Sequence, residues 1–292
     1  MHTRRSLGSM LLDIIIYGVL IGFAVMTVVP LLYIIAGSFT DGTELVKNKL
    51  VLIPTHFSLD GYTFILKTPD IPRSLLVTIY ITIVGTVINL LFTSLLAYPL
   101  ARKDLRERRV ILFFILFTML FSGGIIPSFL VVKSLGLIDS LWSQMIPNAI
   151  SAFNLIVLRN FFMQLPESLE ESAKIDGYND LSIMFRIVLP LSLPALATFG
   201  LFYAVEHWNT FFSALLYLND AHQWPIQVWL RQIILLSQGG LDTGNLGQDF
   251  VVPPSQTIKM AVIVISTLPI LCVYPFLQKH FAQGILLGSV KG

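Results

Sequence analysis

The fold is decided by the polar stretch from Leu169 to Leu196, LEESAKIDGYNDLSIMFRIVLPLSLPAL, which lies between two long apolar runs. Pro166 suits the first turn of a helix, and Glu167, Glu170 and Glu171 lie near the positive N-terminal end of that helix. A narrow apolar stripe at four-residue spacing follows the same helix and consists of Leu165, Leu169 and Ala173. The stretch therefore predicts a short acidic helix at the edge of the apolar region.

A second helix is predicted after a tight turn. Gly177 is expected to end the first helix, because Gly adopts the left-handed conformation without a steric penalty. Asn179 or Asp180 can cap the next helix, and Pro190 is expected to end or kink it. Its apolar face is predicted to contain Leu181, Met184, Phe185 and Val188. Acidic character favours docking into a protein over an ordinary loop that packs on lipid headgroups.

The composition indicates that lipid is the solvent for most of the chain. Only 12% of the 292 residues are charged and 55% are hydrophobic, whereas soluble domains carry about 25% charge. Apolar runs of about 20 residues can cross the hydrocarbon as helices, which satisfy their own backbone. We predict one all-α integral membrane domain, residues 1–292, with six spans at approximately Leu11–Ile35, Leu75–Tyr98, Val110–Val132, Leu141–Phe162, Leu193–Leu218 and Ile258–Leu277.

The distribution of basic residues predicts the orientation of the spans. With the N-terminus inside, 12 of the 19 Lys and Arg residues fall on the cytoplasmic side and 7 outside. The segment RKDLRERR, Arg102–Arg109, contributes five of the 12 within one short loop. Both termini and the polar loop 163–192 are therefore predicted to be cytoplasmic.

Two long segments are predicted outside. The first, Gly37–Arg73, contains FSLDGYTFIL, which is compatible with a short helix on the membrane. The second, Asn219–Thr257, ends in a Gly- and Asn-rich part that predicts a flexible loop. Long loops in compact proteins are usually functional, although a disordered connector remains an alternative.

The polar stretch also resembles a known signature. EESAKIDG at Glu170–Gly177, followed by Ile187, Leu189 and Pro190, is similar to the EAA motif of permease subunits in binding-protein-dependent ABC importers. Ser172 replaces the first Ala of the motif and keeps the residue small. The resemblance implies a coupling helix seated on a cytoplasmic ATPase subunit. It assigns the ATPase-coupling role to Glu170, Glu171, Ala173, Asp176, Gly177, Ile187, Leu189 and Pro190.

Other segments extend the resemblance over nearly the whole chain. FYAVEHWNTFFSALLYL at Phe202–Leu218 resembles the fifth span of maltose-type sugar permeases, and LLGSVKG at Leu286–Gly292 resembles the tail of their second permease. MLFSGGIIPSFLVVKSLGL at Met119–Leu137 resembles a branch that handles complex oligosaccharides, including those with uronic acids such as alginate. The resemblance implies a type I importer fold in the inner (plasma) membrane.

The resemblance further implies the partners. These are a second permease, two copies of an ATPase subunit that bind ATP and Mg²⁺, and an extracytoplasmic solute-binding protein. The external loop, with Gly239, Gly240 and Asn245, is expected to contact the binding protein. No nucleic-acid partner is expected.

The sequence contains no motif typical of nucleotide binding, hydrolase catalysis or metal binding. The sequence has no Gly-x-x-x-x-Gly-Lys-Ser/Thr pattern, no Gly-x-Ser-x-Gly elbow and no His spacing typical of a metal site. FSGG, with Gly123 and Gly124, is not a phosphate loop, and Gly in a span more often permits close helix packing. We therefore expect a non-catalytic subunit that binds no cofactor of its own.

Polar residues within spans are candidates for the substrate path, because they usually face protein or water. The candidates are Asn89, Thr93, Asn154, Glu206, Trp208 and Asn209. Polar contacts between helices are an equally good explanation for Asn89 and Thr93, and Glu206 would repel an acidic cargo.

The expected function is import of oligosaccharides, with acidic uronate fragments as the cargo. An ABC permease for amino acids, peptides or metal ions is the first alternative. An ion-coupled secondary transporter is the second, although no clear internal repeat supports it.

Overall fold

The computed structural model describes residues 7–48, 50–237 and 256–289, which are largely helical. Apart from one antiparallel bridge between Thr40 and Phe57, these residues contain no β-structure. The helices are α1 Leu7–Ser38, α2 Gly42–Lys47, α3 Asp60–Lys67, α4 Asp70–Ala101, α5 Arg108–Leu120, α6 Ile125–Ser134, α7 Ala152–Phe162, α8 Glu167–Ile175, α9 Asp180–Ile183, α10 Leu189–Leu191, α11 Leu193–Trp208, α12 Phe212–Tyr217, α13 Ile226–Ser237 and α14 Gln256–Ser289.

Three of the described helices are long and apolar enough to cross a membrane as single rods. Their qualifying parts are Leu12–Ser38, Asp70–Ala101 and Gln256–Val273, in agreement with the predicted first, second and sixth spans. Two bent helix pairs raise the number of candidate spans to as many as five. The predicted count of six spans and the side of each terminus stay predictions.

The predicted third span is broken. Helices α5 and α6 meet at an angle of 119°, and Gly124 between them has φ of 84°. A Cβ added at Gly124 would meet no atom within 4 Å, and one at Gly123 only the Pro127 Cβ at 3.9 Å. The expectation that these glycines permit close helix packing is therefore wrong within this chain, since Gly124 provides a positive-φ turn instead.

The predicted fourth span does not form one helix either. A 3₁₀ turn at Leu141–Gln144 is followed by irregular chain up to Ser151, and α7 has only 11 residues. Pro147 interrupts the run, because Pro lacks an N–H and disfavours helix at the preceding residue. Ser151 then starts α7 by accepting a hydrogen bond from the Asn154 N–H at 3.4 Å.

The predicted fifth span is also divided. The helical segment that ends at Leu191 meets α11 at 84°, so the kink follows Pro190 by two residues rather than lying at it. Helix α11 ends at Trp208, and the chain is non-helical from Asn209 to Phe211 before α12 begins.

The chain divides into two compact units. The first contains α1, α2, α3, α13 from Leu230 onward and α14 up to Thr267. The second contains α4 to α12, the start of α13 and the rest of α14, and α4 packs there against α7 and α11. The main buried cluster of the second unit is Ala97, Tyr98, Leu100, Leu155, Leu158, Phe162, Ala173, Ile183, Met184, Val188, Ala195, Phe199 and Tyr203.

A buried carboxylate organises the segment between α2 and α3. The Glu44 side chain, 6% exposed, accepts hydrogen bonds from the N–H groups of Thr55 at 3.2 Å and His56 at 3.0 Å. Hydrogen bonds from Thr55 and His56 hold the pKa of Glu44 below its ordinary value. The predicted short helix in FSLDGYTFIL is present as α3. In Asn219–Thr257, α13 forms a 12-residue helix before the Gly-rich part, which lies outside the described residues.

We predict that Glu44→Gln loosens the segment around Thr55 and His56, because an amide offers one acceptor oxygen where the carboxylate offers two. Amide hydrogen exchange at these two residues should become faster, and Lys47→Gln, an exposed change on the same helix, should leave it unaltered. Since the pKa of Glu44 is lowered, wild-type protection should be full above the ordinary carboxyl pKa and decline as the pH falls through the lowered one. Equal exchange in Glu44→Gln and wild type would contradict this role.

Candidate functional site

The turn after α8 forms as the sequence predicts. Helix α8 begins after Pro166, and Gly177 has φ of 83°. The Gly177 N–H donates to the Lys174 carbonyl and the Tyr178 N–H donates to the Ala173 carbonyl, both at 3.0 Å. These two bonds define a Schellman termination. Gly177 therefore reverses the chain while satisfying the last carbonyls of α8.

The second arm begins at Asn179. Its side-chain oxygen accepts a hydrogen bond from the Ser182 N–H at 2.8 Å, so Asn179 and not Asp180 provides the cap. After α9 the chain continues through one π-helical turn, Met184–Val188, into α10. Turns of this type are often found at functional sites.

The predicted apolar face of this arm is only partly buried. Met184 and Val188 are 1% exposed, whereas Leu181 and Phe185 are 61% and 48% exposed. The prediction of one common face is therefore wrong for packing within the chain. Leu181 and Phe185 lie four residues apart, as do Met184 and Val188, so each pair occupies one edge of the apolar face and only the second edge packs against the chain. Ile183 joins the buried side instead.

Two basic residues at the end of α4 form ion pairs with the first turn of α8. Arg102 pairs with Glu170, and the Lys103 Nζ lies 2.5 Å from a Glu167 carboxylate oxygen. The hydrogen bond from Lys103, followed by its charge, lowers the pKa of Glu167. Arg102 also lies 3.9 Å from a carboxylate oxygen of Asp180 on the second arm.

Arg102 is held in place by an aromatic ring as well. Its guanidinium donates a hydrogen bond to the Tyr98 hydroxyl at 2.7 Å and lies 5.4 Å from the ring centroid. The side chains of Arg102 and Glu170 are only 18% and 19% exposed. Arg102 thus joins α4, α8 and α9, a role that sequence reasoning missed when it used the basic loop only for orientation.

The predicted coupling residues fall into inward and outward groups. Ala173 is buried, and Glu170 faces Arg102, whereas Glu171 and Asp176 are exposed. The remaining predicted residues are exposed or partly buried and are Gly177, Ile187, Leu189 and Pro190. Ile175, which the sequence did not single out, is 87% exposed. The outward face of the bent pair therefore combines acidic and apolar side chains.

The predicted path residues are likewise divided. Buried within the chain are Asn89, Thr93, Asn154 and Trp208, while Glu206 and Asn209 are exposed. The Asn89 amide donates to the carbonyls of Asn148 at 2.7 Å and Ala149 at 3.2 Å. The Thr93 and Tyr203 hydroxyls are 2.7 Å apart. These placements favour polar contacts between helices for Asn89 and Thr93.

His207 completes the buried polar network. Its Nε2 lies 2.7 Å from the Asn89 side-chain oxygen. A Cβ added at Gly85 would lie 2.5 Å from that same nitrogen, so only Gly leaves room for the ring. The sequence offered two signals, His207 in an apolar run and Gly85 in another apolar run. That the two lie against each other could be known only from the packing of the helices.

Some predicted residues lie outside the described part of the chain. These are Gly239, Gly240 and Asn245 of the external loop and the end of the tail, residues 290–292. Within residues 7–48, 50–237 and 256–289, no group of three or more His, Cys, Asp or Glu side chains is placed to hold a metal ion.

Comparison with known proteins gives the family. The family model described as "Binding-protein-dependent transport system inner membrane component" matches residues 4–287. The chain belongs to this family. It is therefore a non-catalytic permease subunit of an ABC import system in the inner membrane, and the predictions of this family and of its helical type I fold are confirmed.

Relatives and a solved structure resemble the permease over nearly its full length. The polygalacturonan/rhamnogalacturonan transport system permease protein YtcP of Bacillus subtilis strain 168 is 58% identical, over 97% of this chain and 99% of the relative. Protein LplC of the same organism is 55% identical, over 93% and 92%. The crystal structure of a bacterial ABC transporter involved in the import of the acidic polysaccharide alginate contains a chain that is 34% identical, with a TM-score of 0.87, over 96% and 99%.

We predict that Arg102→Ala loosens α8. The variant leaves the largely buried carboxylate of Glu170 without the guanidinium that neutralises it, which is unfavourable. Loss of a hydrogen bond to a charged group costs about 1.5 kcal/mol, so protection of the α8 amides from hydrogen exchange should fall about tenfold. The matched control is Arg106→Ala, since Arg106 is exposed in the same loop. Equal protection in both variants would show that the Arg102–Glu170 pair does not hold α8.

Proposed function

We propose that this permease carries uronate oligosaccharides across the membrane and that the bent pair α8–α9 couples this movement to ATP hydrolysis by a partner subunit. The observation that carries the coupling role is the Gly177 turn, which presents an exposed acidic and apolar face while its inner face is tied to α4 through Arg102. A force applied to this face therefore has a direct route to a membrane-spanning helix.

The relatives support the cargo. Polygalacturonan is a polymer of galacturonate, and alginate is named as an acidic polysaccharide, so the two named cargoes share sugar carboxylates. The identity of 58% to the polygalacturonan/rhamnogalacturonan permease exceeds that of 34% to the alginate importer chain. We therefore place pectin-type, galacturonate-containing oligosaccharides ahead of alginate fragments. The same relatives favour a sugar cargo over the alternatives of amino acids, peptides and metal ions.

The proposed assembly has a second permease beside this one, two ATPase subunits with ATP and Mg²⁺ below the coupling pair, and a solute-binding protein outside. Closure of the ATPase subunits moves α8, and Arg102 transmits the movement to α4. The transporter changes from one access state to the other only if the ATPase binds the two states with different affinity. The external loop around Gly239 is proposed to contact the binding protein.

The coupling role is tested by Gly177→Val in the complete transporter in vesicles. A side chain at positive φ costs about 1–2 kcal/mol, which lowers the equilibrium constant for forming the native turn about 5- to 30-fold. Oligosaccharide uptake per ATP hydrolysed should fall accordingly. Gly177→Asn should retain most coupling, because Asn tolerates this conformation.

The chain supplies a matched control for this variant. Gly136 ends α6 with φ of 70° and the same two hydrogen bonds, from its own N–H to Lys133 and from the Leu137 N–H to Val132. Gly136→Val has the same backbone penalty at a position outside the coupling pair. Equal uptake per ATP in Gly177→Val and Gly136→Val would exclude a coupling role for the Gly177 turn.

The cargo is tested by ATPase activity of the reconstituted complex with its binding protein. Trigalacturonate, alginate trisaccharides and maltotriose are added separately, and we expect the first to give the largest stimulation. Stimulation by maltotriose alone would rule out uronates as the cargo and leave the coupling proposal intact.

A further inference from the structure

Three helices of the second unit are interrupted at a similar height. Measured from the end that bears the coupling pair, α5, α7 and α11 have 13, 11 and 16 residues. At 1.5 Å per residue they rise about 20, 16 and 24 Å. The hydrocarbon is about 30 Å thick. Helices of these lengths that start at its cytoplasmic boundary end inside it, about half to four-fifths of the way across.

Two of these interruptions, together with α12 beyond the third, border one cavity of about 600 Å³. Pockets for small molecules are typically about 300–1,000 Å³. The breaks after α5 and before α7 contribute directly to the wall, and α6 and α12 supply the rest. The lining residues are Ser122, Gly123, Gly124, Ile125, Pro127, Ser128, Val131, Val132, Leu135, Ile146, Pro147, Asn148, Phe212, Ser213, Leu216 and Tyr217.

The backbone in this wall restricts what can fill the cavity. Non-helical backbone at membrane depth is tolerated only where protein covers it or where it lines a water-filled space. Ser122–Gly124 and 146–148 are exposed in the chain. Lipid therefore cannot cover this side, and the wall faces either water or a partner protein.

The wall has the chemistry of a carbohydrate contact. The Ser128 hydroxyl donates to the Gly124 carbonyl at 2.8 Å, and the Ser122 hydroxyl accepts from the Gly124 N–H at 3.3 Å. These hydroxyls keep capacity for further hydrogen bonds, since each has one donor and two acceptor sites. The exposed side chains of Pro127 and Phe212 add apolar surface for the C–H faces of a sugar ring. Sugar pockets need this mixture of apolar surface and a few polar groups.

We propose that this cavity is a section of the translocation path in which the permease contacts the sugar rings of its cargo. The proposal rests on the proposed function for the nature of the cargo. It differs from the residues that the sequence suggested: Asn89 supports the wall from behind by donating to the Asn148 carbonyl, and does not line the cavity. Contacts come instead from hydroxyl and main-chain groups at the helix interruptions.

Thiol labelling of the complete transporter in vesicles tests the proposal. Cys272, exposed in α14, is first replaced by Ala, and Ser122→Cys, Ser128→Cys and Phe114→Cys are made separately in that background. Phe114 is exposed on α5 but does not line the cavity. A charged, membrane-impermeant methanethiosulfonate reports water access, because it reacts with the thiolate.

The two serine positions should label at least about tenfold faster than Phe114→Cys, because a thiol ionises in water and not in lipid. Trigalacturonate, added with binding protein and ATP, should slow that labelling several-fold. Labelling no faster than at Phe114 would mean that protein fills the space and would overturn the proposal. Fast labelling that trigalacturonate does not slow, in vesicles that accumulate it, would also overturn the sugar contact.

The cargo assignment can fail separately. If the vesicles take up a different oligosaccharide and that sugar slows labelling, the cavity proposal stands and the uronate cargo is wrong.

A second pair of variants does not depend on labelling. Gly123→Trp should obstruct the cavity and lower uptake at least about tenfold, because it places a large aromatic side chain, with about 200 Å² of surface of its own, in the wall. Gly123→Ala adds only a Cβ with 3.9 Å of clearance, and its uptake should stay close to wild type. Co-purification of the partner subunits verifies assembly of both variants. Normal uptake by an assembled Gly123→Trp transporter would contradict the proposal.

Discussion

Backbone amide and carbonyl groups find no water in hydrocarbon, so each must be satisfied within the protein. This constraint produces the long helices α1, α4 and α14, whose hydrogen bonds are internal. It also determines where irregular chain can occur. The interruptions after α5 and before α7 border a common cavity, whereas the reversal at Gly177 is exposed in the polar loop. The positions of both proposed functional features are thus consistent with one requirement.

The polar loop has a further need, which is mechanical. A helix of nine residues is marginal by itself in water, because helix nucleation is unfavourable. Arg102 supplies the missing restraint through Glu170 and Tyr98, and Ala173 adds a buried apolar contact. Helix α8 is therefore fixed on its inner side and exposed on its outer side. A partner that moves the outer side moves the end of α4 as well, without a separate linking element.

The sequence predicted the features that depend on neighbouring residues and missed those that depend on contacts between distant residues. The Gly177 turn, the Asn179 cap and the start of α8 depend on neighbouring residues, and a single sequence contains that information. The breaks near Gly124 and Pro147 were missed because hydropathy averages over about 20 residues and does not register a change of direction. The Arg102–Glu170 and Asn89–His207 contacts join residues 68 and 118 positions apart. Such pairs depend on helix packing, which periodicity alone does not specify.

The placement of charge bears on how the proposed acidic cargo would pass through the proposed path. The cavity wall, as far as the chain is described, contains no charged side chain. Glu206 is exposed on α11 and is not part of that wall. Its negative charge would therefore not repel a uronate bound in the cavity. Transport requires binding that is favourable enough to admit the ligand and weak enough to release it. Strong ion pairs with the sugar carboxylates would hold the cargo in the path. A neutral wall of main-chain and hydroxyl groups avoids this trap and leaves charge recognition to the partner subunits and the binding protein.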